Sequence, residues 1–296
     1  MSDIIKRPAE TQLPPGIYRD LPRADYDALE AINATQLVAA SISGRLWRRR
    51  CTQNFSGISE PLIRGRAFAV KCEDPEGWLN RVEIGPTKTV TAKAFVQAIE
   101  DTDKDEVILE AHVEQVEAMY QAISEHPVAG ALWESDKERE ITLVWNCPRT
   151  GQLMKARLDW LFPEDGYHVD LKTSGGLSPW SVEASIKRYS YALRMAHYRD
   201  GICSTGLDEF GTKYQHLLIF VEPETSYPEV IVRELSTKEL DEQRTWIDKG
   251  VQNIMTYRKD GIASWMVPDL LRGEEELEGF DEVMDADQIK EDFING

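Results

Sequence analysis

Three residues that can act together on a phosphate ester lie close together in the sequence: Asp159, Asp170 and Lys172. A pair of carboxylates can hold Mg²⁺, with water and a substrate phosphate completing the coordination shell. The ion lowers the pKa of its bound water so that the water can attack phosphorus, and a lysine can stabilise the charge that develops. Because Asp-x-Lys is a common tripeptide, the spacing alone equally fits a solvated surface hairpin in which Lys172 or Arg157 pairs with an aspartate.

The segment that carries these residues has the pattern of three short strands. Apolar residues alternate at Ile141, Leu143 and Trp145, which predicts a strand with one buried face. Two further strands, over 153–162 and 167–173, follow the turns at 146–151 and 163–166. The pattern predicts a three-stranded antiparallel meander.

The short second turn predicts how the two aspartates are arranged. If Phe162 and Tyr167 close that turn, Asp159 lies directly opposite Asp170, with Cβ atoms about 4.5–5.5 Å apart. Facing like charges cost stability unless a cation lies between them or one carboxyl is protonated. Lys172 shares the face of Asp170, and the alternation predicts that four apolar neighbours point to the other face: Leu158, Trp160, Val169 and Leu171.

A helix of about 22 residues is predicted after the meander, because Ser178 and Pro179 have the types of an N-cap and a first helical residue and Gly201 can end it. One stripe at helical spacing should face the core: Val182, Ile186, Tyr189, Leu193 and Ala196. A second, basic and aromatic stripe could follow a nucleic-acid strand or lie as a solvated surface: Lys187, Tyr191, Arg194 and Tyr198.

The rest of the chain alternates helical and extended patterns. Gly16–Tyr18 and Asp25–Tyr26 are predicted to be extended, and further strands are predicted over 217–221 and 229–235. Helices are predicted over 33–50, 61–72, 93–125 and 237–259. The fold class predicted from this order is α/β, with a mixed central sheet that contains the antiparallel meander and is flanked by helices.

Composition limits which kind of metal the protein is expected to bind and in which compartment it is expected to lie. The four cysteines are scattered singly, and the five histidines lack the spacing of a transition-metal pair. Any metal is therefore expected to be a hard cation held by oxygen, and the cysteines to be reduced thiols. No apolar run reaches the roughly 20 residues that span a bilayer, and the first residues lack the apolar core of a signal peptide, so a cytoplasmic protein with no membrane partner is predicted.

The net charge of −18 argues against nucleic acid at first sight, because phosphate binding depends on Lys and Arg. Half of that charge lies in residues 269–296, which are predicted to be a flexible acidic tail after one catalytic domain at 1–268. The domain also carries a basic patch that could bind DNA or be a solvated helix end: Arg45, Arg48, Arg49 and Arg50.

An ordered series of motifs runs through most of the chain: Pro15-Gly-Ile-Tyr18, Asp25-Tyr26, Gly65-Arg-Ala-Phe68, Asp74-Pro75-Glu76, Val82-Glu-Ile-Gly-Pro86, His126-Pro127, Ala156-Arg-Leu-Asp159, Val169-Asp-Leu-Lys-Thr173 and Tyr198-Arg-Asp-Gly201. The series is far more specific than Asp-x-Lys alone. It resembles the exonuclease VIII (RecE) family, a branch of the PD-(D/E)xK nucleases.

The resemblance implies a sheet flanked by helices and an Mg²⁺-dependent enzyme, with Mn²⁺ as an alternative ion. It implies degradation of linear double-stranded DNA from its 5′ ends and a homotetrameric ring around the substrate. It also implies a role in phage recombination beside a single-strand annealing protein.

Carried over by position, Asp159 and Asp170 match the family's metal-binding aspartates and Lys172 its catalytic lysine, while the carbonyl of Leu171 is the implied additional ligand. This chain departs from the family at Ala69, where a metal-binding histidine is usual, and at Arg194, where glutamine is usual. Glu73, one helical turn after Ala69, can act as a substitute ligand.

Two functions are compatible with these residues. The first is an active 5′-to-3′ DNA exonuclease, which retention of both aspartates and the lysine favours. The alternative is a catalytically impaired relative that binds DNA or a protein, which the two departures and the acidic tail favour.

Overall fold

The computed structural model describes residues 13–52, 58–223 and 226–260. The strands are β1 (Gly16–Tyr18), β2 (Val82–Ile84), β3 (Glu106–Ile108), β4 (Glu138–Asn146), β5 (Leu153–Phe162), β6 (Tyr167–Thr173), β7 (Gln215–Val221) and β8 (Val230–Leu235). The helices are α1 (Arg23–Ala28), α2 (Ala34–Ile42), α3 (Gly44–Thr52), α4 (Glu60–Glu73), α5 (Trp78–Arg81), α6 (Lys93–Asp101), α7 (Glu110–Glu125), α8 (Pro127–Glu134), α9 (Pro179–Arg188), α10 (Tyr191–Ser204), α11 (Thr237–Glu242) and α12 (Arg244–Asp260).

Six strands form the central sheet, in the order β1-β4-β5-β6-β7-β8. All neighbours are antiparallel except β6 and β7, which are parallel and are connected through α9 and α10. A parallel pair needs such a crossover, because its second strand must return to the starting edge. The predicted fold class, including the meander β4-β5-β6, is confirmed.

Each face of the sheet is covered by its own apolar cluster. One cluster includes Leu37 of α2, Val182 of α9, Leu193 of α10 and Val251 of α12. The other includes Phe68 of α4, Met119 of α7 and Leu132 of α8, with the small parallel pair β2-β3 beside them. The sheet is therefore the middle layer of three, and any open site has to lie where the helices leave a gap.

A kink in β4 changes which residues face each side. Glu140 adopts φ 50°, a left-handed conformation that is unusual for a residue with a side chain. Around it the alternation of faces shifts, so that Leu158 belongs to the first cluster while Trp160 belongs to the second. The prediction that both point to one apolar face was wrong, because the alternation of faces along β5 changes between these two residues, opposite the kink in β4.

Four of the predicted helices are interrupted, beginning with those over 33–50 and 93–125. The helix predicted over 33–50 divides at Ser43, whose backbone is extended and whose hydroxyl accepts the N–H of Leu46 at the start of α3. The helix predicted over 93–125 divides because residues 106–108 pair with β2, which buries Val107 and Ile108. A local cap interrupts the first helical pattern, and strand pairing interrupts the second.

The helix predicted over 178–201 begins as expected, since the hydroxyl of Ser178 accepts the N–H of Ser181. It is interrupted at Ser190, and α10 then continues past Gly201. Gly201 is needed for packing, because a Cβ there would lie 2.8 Å from the ring of Trp145.

Two smaller expectations also differ from the structure. The last predicted helix is divided into α11 and α12, and Asp25–Tyr26 lies in α1 rather than in an extended segment. The acidic tail at 269–296, with the domain boundary predicted there, lies outside the described residues. Within the part of the chain that is described, no helix is both long and apolar enough to cross a membrane.

Candidate active site

A cleft of about 710 Å³ opens between α4 and the C-terminal end of β6. Its residues come from one face of α4, from the kinked start of β4, from β5 and β6, from the loop at 174–176 and from the junction of α9 with α10. Asp159 and Lys172 lie at this cleft together with Ala69, Glu73 and Glu140.

A second, smaller pocket of about 220 Å³ adjoins the same residues. Asp159, Lys172 and Glu140 line both openings, while Asp170 lines only the smaller one. Arg23 and Arg157 add positive charge to the smaller pocket. The residues singled out in the sequence thus lie at a junction that is reachable from two directions.

The hairpin has the predicted closing pair, Phe162 opposite Tyr167, but its ladder ends at Trp160 and Val169. Beyond that point the side chain of Asp159 takes a place in the hydrogen bonding: its Oδ2 accepts the N–H of Leu171 at 2.8 Å. The two aspartates are neighbours, as predicted, but they are not a ladder pair. Where the ladder ends, a side-chain carboxyl takes the place of a backbone acceptor.

The charges of the site are strongly coupled. Burial, and next the negative charge of Asp170, raise the pKa of Asp159 to about 8. Burial would lower the pKa of Lys172, but Asp170 and Asp159 outweigh it and the pKa is raised. Lys172 forms an ion pair with Asp170 and donates to the carbonyl of Leu171 at 3.0 Å. One ammonium therefore balances two carboxyls.

The oxygens present fit a hard divalent cation. Two carboxylates, of Asp159 and Asp170, lie beside the Leu171 carbonyl, which faces the Lys172 ammonium. Across the described residues, no group of three or more His, Cys, Asp or Glu side chains could hold a metal. This excludes a full protein cage there, but Mg²⁺ is commonly bound by one or two carboxylates together with waters and substrate phosphates.

Two positions of α4 concern the departure from the pattern of the family that this chain resembles. Ala69 replaces the usual histidine, and Glu73 is the predicted substitute ligand. Ala69 and Glu73 line the cleft with Asp159. The Glu73 carboxylate, however, forms an ion pair with Arg81 at 2.7 Å, and Arg81 also binds Asp105. Glu73 is thus close to the site while its charge is engaged elsewhere.

Glu140 was not predicted as a site residue. It lies at the kink of β4, pairs with Arg157 at 3.5 Å, and has its pKa raised by burial and by Glu73. A signal existed in the sequence: once the 146–151 turn is closed, antiparallel counting places position 140 across from Asp159. The left-handed backbone that orients it could not be read from residue types.

The predicted nucleic-acid residues of α10 are close to the site. Tyr191 lines the cleft, with the Lys172 ammonium 5.3 Å from its ring centre, and Tyr198 lines the smaller pocket. Arg194 donates to the Thr35 hydroxyl at 3.0 Å and to the Tyr189 carbonyl at 3.2 Å. Tyr189, predicted to be core, instead lines the cleft.

The remaining predicted DNA-binding residues are farther out. Lys187 is exposed on α9 and is not among the cleft-lining residues. Arg45 and Arg48 are exposed on α3, whereas Arg49 and Arg50 are half-buried. Burial, and next the charges of Arg194 and Arg49, lower the pKa of Arg50, which places a group of arginines between α3 and α10.

Known proteins resemble this chain in fold more than in sequence. A chain from Eubacterium rectale described as a putative exonuclease matches with a TM-score of 0.55 at 12% identity, covering 79% of this chain and 83% of that one. A phage-related exonuclease from Haemophilus somnus 129PT matches with a TM-score of 0.32 at 10% identity, covering 65% and 94%, which is too low to support an argument. No curated protein matches.

The family comparison is more specific. Residues 85–264 match a family described as a PDDEXK-like domain of unknown function (DUF3799). This range contains Asp159, Asp170 and Lys172 and more than half of the chain. The chain belongs to this PDDEXK-like family and has the fold of the PD-(D/E)xK nucleases, as its motifs predicted.

Proposed function

We propose that this protein is a metal-dependent DNA exonuclease that hydrolyses phosphodiester bonds of linear double-stranded DNA. The observation that carries the proposal is the closeness of Asp159 to Asp170 at an open junction, where burial and the neighbouring charge raise the pKa of Asp159 to about 8. Such an arrangement costs folding stability, and a divalent cation would remove the cost. Perturbed carboxyls in a cleft are typical of functional sites.

Asp159, Asp170 and the carbonyl of Leu171 would hold Mg²⁺ or Mn²⁺ in this proposal. When bound, the ion supplies a water of lowered pKa and neutralises charge on the phosphate. The Asp159 carboxylate also accepts the N–H of the Asp170–Leu171 peptide, while the Leu171 carbonyl, in the next peptide, accepts from the Lys172 ammonium. These contacts position ligands before a substrate arrives.

Lys172 would stabilise the negative charge that accumulates on the phosphate during hydrolysis. Its ammonium is held by Asp170 and Leu171 at the floor of the cleft, so it needs little reorganisation to contact a phosphate oxygen. In the reaction a water oxygen bonds to phosphorus, the bond to the departing sugar oxygen breaks, and the proton of the water ends on that oxygen.

The finer features rest on the motifs that resemble exonuclease VIII. They are 5′-to-3′ polarity, a ring-shaped homotetramer and recombination beside a single-strand annealing protein; a cytoplasmic location rests instead on the sequence's lack of a long apolar run and of a signal-peptide core. The basic group around Arg50 and Arg194 favours a DNA backbone as the partner, because fixed arginines suit phosphates.

The test is a nuclease assay on blunt linear DNA labelled at either end, with Mg²⁺, Mn²⁺ or a chelator, beside a closed circular control. The proposal expects metal-dependent loss of the 5′ label before the 3′ label and an intact circle. Asp170→Asn provides the matched inactive protein. Full resistance of linear DNA with both ions would reject catalysis.

A non-catalytic DNA- or protein-binding role is the second candidate. Ala69 favours it, because an alanine at the cleft cannot bind a metal. It predicts DNA binding of equal strength with and without metal, and no cleavage under any ionic condition.

A further inference from the structure

The junction of α9 and α10 brings two tyrosines together beside the site. Ser190 has φ 53° and ψ 40°, a left-handed conformation that residues with a side chain rarely adopt. In an unbroken helix, side chains two residues apart are rotated by about 200° about the helix axis and point to nearly opposite sides. Here the rings of Tyr189 and Tyr191 have centres 5.5 Å apart and are tilted by only 34°.

Both rings line the large cleft and are half-buried, so one side of the pair remains accessible. Tyr191 also lies beside Lys172, whose ammonium is 5.3 Å from the ring centre. Tyr189 is not part of the apolar core of α9 and α10, whereas Tyr191 packs against that core with its ring centre 5.9 Å from that of Phe220, which fixes one side of the pair. The strained kink therefore presents an aromatic surface next to the group proposed to contact phosphate.

The cations around this surface suit a nucleic-acid backbone, and carboxyls lie beside them. Arg66, Arg139 and Lys172 line the same cleft as the tyrosines, together with the acidic Glu73, Glu140 and Asp159. Flat aromatic rings beside cations are how single-stranded nucleic acid is held: cations follow the backbone while bases stack on rings. The cleft volume of about 710 Å³ is within the range of small-molecule sites, roughly 300–1,000 Å³. It therefore suits a short piece of one strand rather than a base-paired segment.

We infer that the Tyr189–Tyr191 pair is a stacking platform for an unpaired nucleobase of the strand being cut. The inference rests on the proposed function for its substrate class and adds that the terminal bases are separated from the complementary strand at the site. The kink at Ser190 holds the platform, and Lys172 joins it to the phosphate position. Such a platform recognises any base, since every base has a flat aromatic face.

The experiment measures binding without cleavage, in a chelator, to a short single-stranded oligonucleotide and to the same oligonucleotide with abasic sites at its 5′ end. Tyr189→Leu is the principal variant because the ring that the Lys172 ammonium contacts is that of Tyr191, so the loss of Tyr189 leaves the Tyr191–Lys172 contact in place. Tyr189→Phe keeps the ring, and Phe210→Leu alters an aromatic residue that is 80% exposed in the loop before β7, at the opposite end of the strands.

Tyr189→Leu should weaken binding of the intact oligonucleotide roughly 10-fold, which is within the effect of losing one stacked base. Tyr189→Phe and Phe210→Leu should bind as the natural protein does, and the abasic oligonucleotide should not distinguish among the proteins. A 2-aminopurine base at the 5′ end should lose fluorescence on binding to every variant except Tyr189→Leu.

Equal affinity of Tyr189→Leu and the natural protein for the intact oligonucleotide overturns the inference. An equal loss for the abasic oligonucleotide also overturns it, since stacking would not be involved. Ser190→Gly guards against a folding artefact: glycine tolerates the left-handed conformation, so binding should persist. If the protein cleaved no DNA but these binding differences were observed, the proposed catalysis would be rejected and the inference of a stacking platform would stand.

Discussion

The Oδ2 atom of Asp159 accepts the backbone N–H of Leu171 at 2.8 Å, at the point where the β5–β6 ladder ends. The carbonyl of the same residue, Leu171, accepts a hydrogen bond from the Lys172 ammonium. Asp159 therefore has a structural contact besides its proposed role as a ligand. A substitution by alanine removes both, whereas asparagine removes the charge and keeps an oxygen acceptor.

Asp159→Asn should lower the rate of the proposed nuclease reaction by roughly 100-fold or more, because a neutral amide is a poor ligand for a hard cation. In a chelator at neutral pH its free energy of unfolding should stay level or rise by about 1 kcal/mol, since the neutral amide does not have to take up the proton that the raised pKa of Asp159 imposes on folding. Nuclease rates and urea unfolding of the same preparations provide the two measurements.

Asp159→Ala serves as the control for the structural contact, and it should be less stable than Asp159→Asn because the N–H of Leu171 loses its acceptor. If Asp159→Asn lowered stability strongly and cut DNA at the natural rate, Asp159 would be a structural charge and the site assignment would be wrong.

The parts of the site that sequence could predict depend on local geometry. A four-residue turn between Phe162 and Tyr167 sets the register, and this register brings Asp159 near Asp170. The Ser178 N-cap is likewise a local interaction. Alternation and turn length together give the meander, because both act between residues close in sequence.

The parts of the site that the sequence could not predict depend on contacts between residues distant in sequence. Glu140 and Ser190 adopt left-handed conformations that their residue types do not require. Four residues of the predicted core stripe, Val182, Ile186, Leu193 and Ala196, are buried as predicted, but Tyr189, next to the Ser190 kink, lines the cleft. Helical periodicity predicts a face only while the helix is unbroken, so a strained residue changes the assignment of its immediate neighbour.

Ala69→His should lower the Mg²⁺ concentration that gives half-maximal cleavage by several-fold. Ala69 lines the cleft with Asp159, and an imidazole there would add a ligand to a site that has two carboxylates and a carbonyl. Leu62→His is the matched control, because it lies on the same face of α4 about 10 Å away along the helix axis and also lines the cleft. Identical metal titrations for the natural protein and both variants would show that Ala69 does not face the metal.

Arg81→Gln should also improve metal binding, for a different reason. Arg81 pairs with Glu73 at 2.7 Å, and its removal leaves the Glu73 carboxylate available to the cleft. The ion pair is partly exposed, so the free energy of unfolding should fall by less than about 1 kcal/mol. Calorimetric titration with Mg²⁺ is the measurement, and Arg81→Gln with Glu73→Gln should return the affinity to its starting value. An unchanged affinity in Arg81→Gln would remove Glu73 from consideration as a substitute ligand.

The last prediction concerns acid stability and a histidine away from the cleft. His197 is buried, its Nε2 lies 2.9 Å from the Lys155 carbonyl, and its Nδ1 has no hydrogen-bond partner. Burial lowers its pKa from 6.5 to about 4. Between these values the unfolded chain binds more protons than the folded protein, so stability falls as pH decreases from 6.5 to 4 and is fully present above 6.5.

From pH 7 to pH 5 the loss due to His197 should be about 2 kcal/mol. His197→Gln keeps a donor for the Lys155 carbonyl and cannot be protonated, so its unfolding free energy should depend less on pH. It should be less stable than the natural protein at pH 7, because the ring 4.8 Å from Trp145 is lost, and the gap should narrow by about 2 kcal/mol at pH 5. Urea unfolding of both proteins at several pH values measures the gap. A gap that stays constant would show that His197 does not titrate on unfolding, and that other groups account for any acid lability.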